Sequence, residues 1–297
     1  MSSLSRPQSI PPPETHIDAE LDCNEELPPV PPQPFRDDEA DAVSPLLRHY
    51  APGWVSLSGR TIREELFRLS QQFFDSIKTL RLMSTVVQDK SIAPYLCIDL
   101  PLTPNIDSSC YPTHVFAVSP QPAAEGANTA DAPVPIVAIH GIVLAAHCTK
   151  LNLPPPPHST DRQILNLVTC RFDVASIRAW ILLRSYMYGG SIKTFLSMLL
   201  PLPQVFVDDF SPNYASPGHE RPKLSAVSGS EVLIRILARH VVDNTAGGYP
   251  KLLAHMEYVL EVWRMICDLG MYDTLLWMAL RLAWQIARNA LLIKRRA

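Results

Sequence analysis

Apolar residues recur along this chain in patterns that assign most of its elements. Ile62, Leu66, Leu69, Phe73, Ile77 and Leu80 stand three or four apart, and Arg63, Glu64, Arg68, Gln72, Asp75 and Lys78 take the other side. This spacing predicts one amphipathic helix of about five or six turns. Thr61 and Glu64 at its start have the form of a capping box. The apolar stripe has to close on the body of the protein or on a second chain, which makes Ile62, Leu66, Leu69, Phe73, Ile77 and Leu80 the candidate self-association surface of a homodimer.

Apolar runs of strand length follow at residues 95–100, 115–118, 136–139 and 164–168. Between the second and third, residues 120–133 are rich in Ala and Pro and read as a surface loop. From Gly141 the pattern turns helical until four consecutive prolines, Pro154 to Pro157, which no helix interior accommodates. Residues 174–188 predict a helix that stops at Gly189-Gly190, and 192–200 a shorter one ended by Pro201. Residues 201–228, dense in Pro, Ser and Asp, read as a loop or linker. Helices are predicted over 231–242, 249–269 and 272–293, with Gly270 as the break and Trp263, Trp277 and Trp284 suited to helix-on-helix packing. The fold class that follows is α+β and predominantly helical, a small sheet followed by a C-terminal helical region over 229–297.

Composition changes the picture at the N-terminus. Residues 1–45 hold ten of the 29 prolines and ten acids against two basic residues, a local net charge of −8 within a chain of −3, which leaves +5 for the rest. So little apolar surface cannot offset a backbone ordering cost of about 1–2 kcal/mol per residue, and the segment reads as a disordered acidic arm. The mild positive balance of the body does not announce nucleic-acid binding. No uninterrupted apolar stretch near the start suits a secretory signal, and none approaches the roughly 20 residues that span a bilayer. Cys23, Cys97, Cys110, Cys148, Cys170 and Cys267 are widely spaced without a CxxC pair. That spacing points away from a disulfide framework or zinc module and towards a reducing intracellular compartment.

Candidate chemistry is sparse. Leu144-Ala145-Ala146-His147-Cys148 looks like the histidine segment of trypsin-like proteases, but the chain has no Gly-Asp-Ser-Gly to supply the nucleophile and oxyanion hole. It also has no Gly-x-Ser-x-Gly, Walker loop, GxGxxG after a strand, or His-Glu-x-x-His. His140 and His147 lie seven apart with no third metal ligand suggested by spacing, so both read as structural histidines. No cofactor is expected. Lys294, Arg295 and Arg296 at the C-terminus suit the negative end of a helix dipole and are also a candidate nuclear-import cluster.

Two segments resemble BTB/POZ domains in the right order. His140-Gly141-Ile142-Val143-Leu144-Ala145-Ala146-His147-Cys148 is similar to that fold's His-x-x-x-Leu-Ala-Ala-x-Ser, and Trp180 to Gly190 is similar to its Leu-Leu-x-Tyr-x-Tyr-Thr-Gly helix end. The resemblance implies a divergent BTB/POZ-like core within residues 46–200. It departs from the pattern at Tyr95-Leu96-Cys97-Ile98, where the usual Asp-Val is missing, and at Lys150-Leu151. A further likeness joins Ile139 to Cys148 with Val262-Trp263-Arg264-Met265-Ile266-Cys267-Asp268-Leu269-Gly270, Leu276-Trp277 and Ala283-Trp284. These segments resemble the clampless family of basidiomycete fungi. That resemblance implies a non-enzymatic nuclear regulator of clamp-cell formation and mating-type-controlled development, acting by binding transcription factors. The BTB likeness alone implies the alternative of a substrate adaptor for a cullin ubiquitin ligase.

Overall fold

A computed structural model describes residues 42–79, 86–88, 95–99, 110–120, 133–155, 164–210 and 217–297. The acidic arm up to residue 41, most of the 120–133 loop, and Leu80 lie outside the described residues.

The helix predicted over 62–80 is two helices, α2 (Gly59–Arg68) and α3 (Ser70–Thr79), after a short α1 (Leu47–Tyr50). Leu69 separates them: its N–H reaches the carbonyls of both Glu65 and Leu66, while its own carbonyl still accepts from Phe73. Capping falls one turn earlier than the sequence pattern suggests. Ser58 is the N-cap, and its hydroxyl accepts the Thr61 N–H at 3.1 Å. Ile62, Leu66, Phe73 and Ile77 are all buried in the core of this same chain. These four positions of the stripe therefore pack on the chain's own body, and Leu69 is half-buried. Arg63, placed by periodicity on the polar side, is buried as well.

Five strands form one sheet in the order β1-β4-β3-β5-β2: β1 (Val86–Gln88), β2 (Tyr95–Asp99), β3 (His114–Pro120), β4 (Pro133–Ile139) and β5 (Ile164–Val174). Among the described strands only β3 and β5 pair in parallel, His114 opposite Val168. A parallel pair needs a crossover, and the chain supplies it through β4 and α4 (Gly141–His147). β5 runs six residues beyond the predicted strand, and α5 (Ile177–Gly189) starts only after Ser176, whose hydroxyl caps the Ala179 N–H. α5 ends as predicted at Gly190, in the left-handed conformation with φ 57°.

Residues 201–228 are not a plain loop. After α6 (Ile192–Leu199) they carry α7 (Gln204–Asp208) and α8 (Pro217–Ser228). Leu224 is fully buried and anchors α8, which packs on the last helix. α9 (Glu231–Asn244), α10 (Gly248–Leu269) and α11 (Thr274–Arg296) complete the chain. α11 is the central rod of this half: α6, α8, α9 and α10 all pack on it. Its apolar band, including Leu276, Leu280, Ala283, Trp284, Ala287 and Leu291, is wider than the stripe of a one-sided helix. One cluster of buried apolar residues runs from Leu47 to Leu291.

Candidate functional site

His140 stands where β4 turns into α4. Its Nδ1 lies 2.8 Å from the Tyr188 hydroxyl, which also accepts the His140 backbone N–H at 3.1 Å. On the other side Nε2 meets the Cys110 carbonyl at 2.9 Å and the Ser76 hydroxyl at 3.2 Å. The Phe73 ring covers it, with centroids 4.5 Å apart. Burial pulls the imidazole down to about 3, against a smaller upward pull from the Cys110 carbonyl. This neutral ring ties α3, β4 and α5 together.

His147, one helix length on, is also held neutral at about 3, first by burial and then by the neighbouring Arg63 cation. Around it lies a polar hub that sequence reasoning missed. Arg63 donates to the Ala146 carbonyl at 3.1 Å, and its Nε faces Asp273 Oδ2 at 3.6 Å, with both side chains almost completely enclosed. Tyr186 donates its hydroxyl to the same Oδ2 at 2.9 Å. Asp273 Oδ1 accepts the N–H groups of Leu275 and Leu276, which makes Asp273 the N-cap of α11. The one legible signal was Asp273 itself, an acid one residue ahead of an apolar helix.

A second set of contacts joins the same two halves. Residues 149 and 150 cap the C-terminus of α10: the Thr149 N–H and hydroxyl go to the Gly270 carbonyl, the Lys150 N–H to that of Leu269, and the Lys150 ammonium to that of Cys267. These are carbonyls that a helix end leaves without partners. Gly270 has φ 65°, and a Cβ there would run into Thr149 Oγ1 and Lys150 Cγ, so both its backbone and its neighbours require glycine. Nearby, Arg178 pairs with Glu261 through two bonds of 2.8 Å, joined by the Ser176 hydroxyl at 2.6 Å.

This arrangement holds helices in place: Arg63, Tyr186 and Asp273 join α2, α5 and α11. Cys148, beside the protease-like histidine, is buried, and its thiol is pushed far up by desolvation. Among the described residues, no group of three or more His, Cys, Asp or Glu could hold a metal, and no helix is long and apolar enough to cross a membrane. At the C-terminus Lys294 and Arg296 are exposed, while Arg295 lies over the Tyr249 ring and donates to its hydroxyl at 3.1 Å.

Outward-facing apolar side chains lie elsewhere, on several elements, and one set is on α9. Ile234, Leu237, Ala238 and Val241 are buried, while Val232 and Ile236 on the opposite face are 68% and 58% exposed, with Leu233 beside them at 44%. A polar cleft of about 500 Å³ adjoins this face, bounded by Glu231 and Arg235 of α9 and by Gln285, Arg288 and Asn289 of α11.

Comparison with known proteins gives two matches that overlap across the seam. The family model for the Clampless protein 1 N-terminal domain matches residues 26–204, and that for the Clampless protein 1 C-terminal domain matches residues 193–297. No curated protein and no solved structure matches the chain. The border between the two models falls within α6 and α7, in a segment continuous with the shared core. With both domains present in order and joined through Asp273 and Gly270, the chain belongs to the clampless protein family.

Proposed function

We propose that this protein is a non-enzymatic regulator of clamp-cell formation in the mating-type-controlled development of a basidiomycete. It acts in the nucleus by binding transcription factors of the mating pathway. The observation that carries this reading is the match to both clampless domains over residues 26–297. Two features of the molecule support a role exerted through surfaces. The histidines that could serve chemistry are enclosed and held neutral, and α9 presents apolar side chains to the outside. The order β4, α4, β5, α5, with His140 and Tyr188 bonded across it, supports a divergent BTB/POZ-like core. Exposed Lys294 and Arg296 at the end of α11 support nuclear import through the terminal cluster.

The test combines a deletion strain with affinity purification of the tagged protein from mating cells. Loss of clamp cells together with recovery of mating-pathway transcription factors is the expected result. Normal clamp cells in the deletion strain would refute the regulator reading. Recovery of a cullin and its RING subunit in place of transcription factors would replace it with the adaptor reading.

A further inference from the structure

We infer that the exposed face of α9, together with the arginine-lined cleft beside it, is the docking site for residues 14–27 of this same chain. Val232 and Ile236 stand four apart on one face of α9, where a helix already packed on α11 would ordinarily carry polar residues. Arg235 and Arg239 run along the edge of that face, and Arg288 reaches the same cleft from α11. Among the described residues none of the three arginines has an ion-pair or hydrogen-bond partner. Glu231 at the mouth of the cleft and Asp243 at the far end of the helix are the acids on this side, so the middle of the face is positive. Gln285 Oε1, buried at the cleft, has no hydrogen-bond partner among the described residues and calls for a donor.

Residues 14–27 have the complementary chemistry. They contain Glu14, Asp18, Glu20, Asp22, Glu25 and Glu26, no Lys or Arg, and Ile17 and Leu21 at the same spacing of four as Val232 and Ile236. The apolar pair covers the α9 stripe, the carboxylates meet Arg235, Arg239 and Arg288, and a backbone N–H of the segment can satisfy Gln285. The tether is long enough. The Ser44 N–H is fixed to the Ala145 carbonyl at 2.8 Å, and the 17 residues from Leu27 to Ser44 span up to about 60 Å. A body of this size has a radius of gyration of roughly 18 Å, so a tether of that span reaches most of its surface. Such a tether holds the segment at an effective concentration on the order of millimolar, enough to keep a contact of about 0.1 mM affinity roughly nine-tenths occupied.

Hydrogen exchange of the full-length chain tests this directly. Amides of residues 17–25 should exchange at least tenfold slower than an unstructured peptide. That protection should be lost in the R235E/R288E variant, in Ile236→Ser, and at high salt. Lysines at Asp18 and Asp22 should restore it in the R235E/R288E background. Arg235, Ile236 and Arg288 are exposed, and an unchanged thermal midpoint will show that the variants are folded. Exchange at the unstructured rate in the wild type overturns the proposal, as does protection that survives R235E/R288E. Protection that grows with protein concentration overturns it in favour of docking between two copies.

Discussion

Arg63 and Asp273 are 1% and 2% exposed, so breaking their pair leaves a charge that neither water nor a close neighbour can fully compensate. Breaking a buried pair from one side costs about 3–5 kcal/mol. Arg63→Met keeps the aliphatic stem but also strips the Ala146 carbonyl of its donor, a further cost of about 1 kcal/mol. Set against this, the stranded Asp273 keeps the Tyr186 hydroxyl and two backbone N–H groups. A net loss of about 3–4 kcal/mol is expected, close to 10 °C in thermal midpoint for a chain of this size. Asp273→Asn retains a good N-cap but strands Arg63, and should cost about 3 kcal/mol. The double variant removes both charges, so its loss should fall short of the sum by about 2 kcal/mol. Urea unfolding followed by tryptophan fluorescence reports all three, since Trp277 and Trp284 are buried on α11. Additivity within about 0.5 kcal/mol, or a single-variant loss below about 1 kcal/mol, would refute the claim that this pair couples the two halves.

Three further outcomes can be measured. His140 and His147 are neutral in the folded chain down to about pH 3, whereas in the unfolded chain they take up protons from about pH 6.5 downward. Stability should therefore be flat above pH 6.5 and fall below it by up to about 1.4 kcal/mol per pH unit for each ring, and a thermal midpoint unchanged from pH 7 to 5 would contradict their enclosure. Gly270→Ala places a Cβ at positive φ and against Thr149, so a loss above about 3 kcal/mol is expected, while Gly189→Ala, with open space around it, should be nearly neutral; equal urea midpoints for the two would sink the argument. Replacing exposed Lys294 and Arg296 by Ala should change stability by less than about 0.5 kcal/mol while reducing nuclear accumulation, and an unchanged nuclear signal would remove the terminal cluster from the reading.

Where local chemistry decides an element, the sequence was enough. Gly190 and Gly270 end their helices, and the periods of α9, α10 and α11 lie within a few residues of the predicted ones because each helix presents a continuous apolar band to its neighbours. Where a distant partner decides, it was not. Arg63 adjoins Ile62 at the edge of the apolar stripe and reads as a surface cation until Asp273 is placed beside it. Residues 201–228 carry enough Pro and Ser to suggest a loop, yet Leu224 finds a pocket against α11 and pins a helix there. β5 outruns its prediction because its apolar run gives way to Arg171 and Asp173, exposed residues alternating with Phe172 and Val174, which still pack inward. The break at Leu69 has neither Gly nor Pro to announce it. The partners of His140, namely Tyr188, Ser76 and Cys110, and the Arg63 cation near His147 come from elements that only the fold brings together.

The cap that Thr149 places on Gly270 closes a loop of 121 residues, which has a consequence for how the molecule is made. A ribosome adding about 5–20 residues per second needs roughly 6–24 s to travel from one partner to the other. Throughout that interval the newly made first half has no α11 to lie against, and Arg63 has not yet met Asp273. It emerges as an incomplete core with an uncovered apolar side, a substrate for chaperones and for aggregation. Ribosome-bound chains halted near residue 200 should therefore recruit chaperone and resist neither protease nor dye. Chains released after α11 has emerged should resist protease and exclude the dye, and equal protease resistance at the two lengths would show that the first half completes its fold alone.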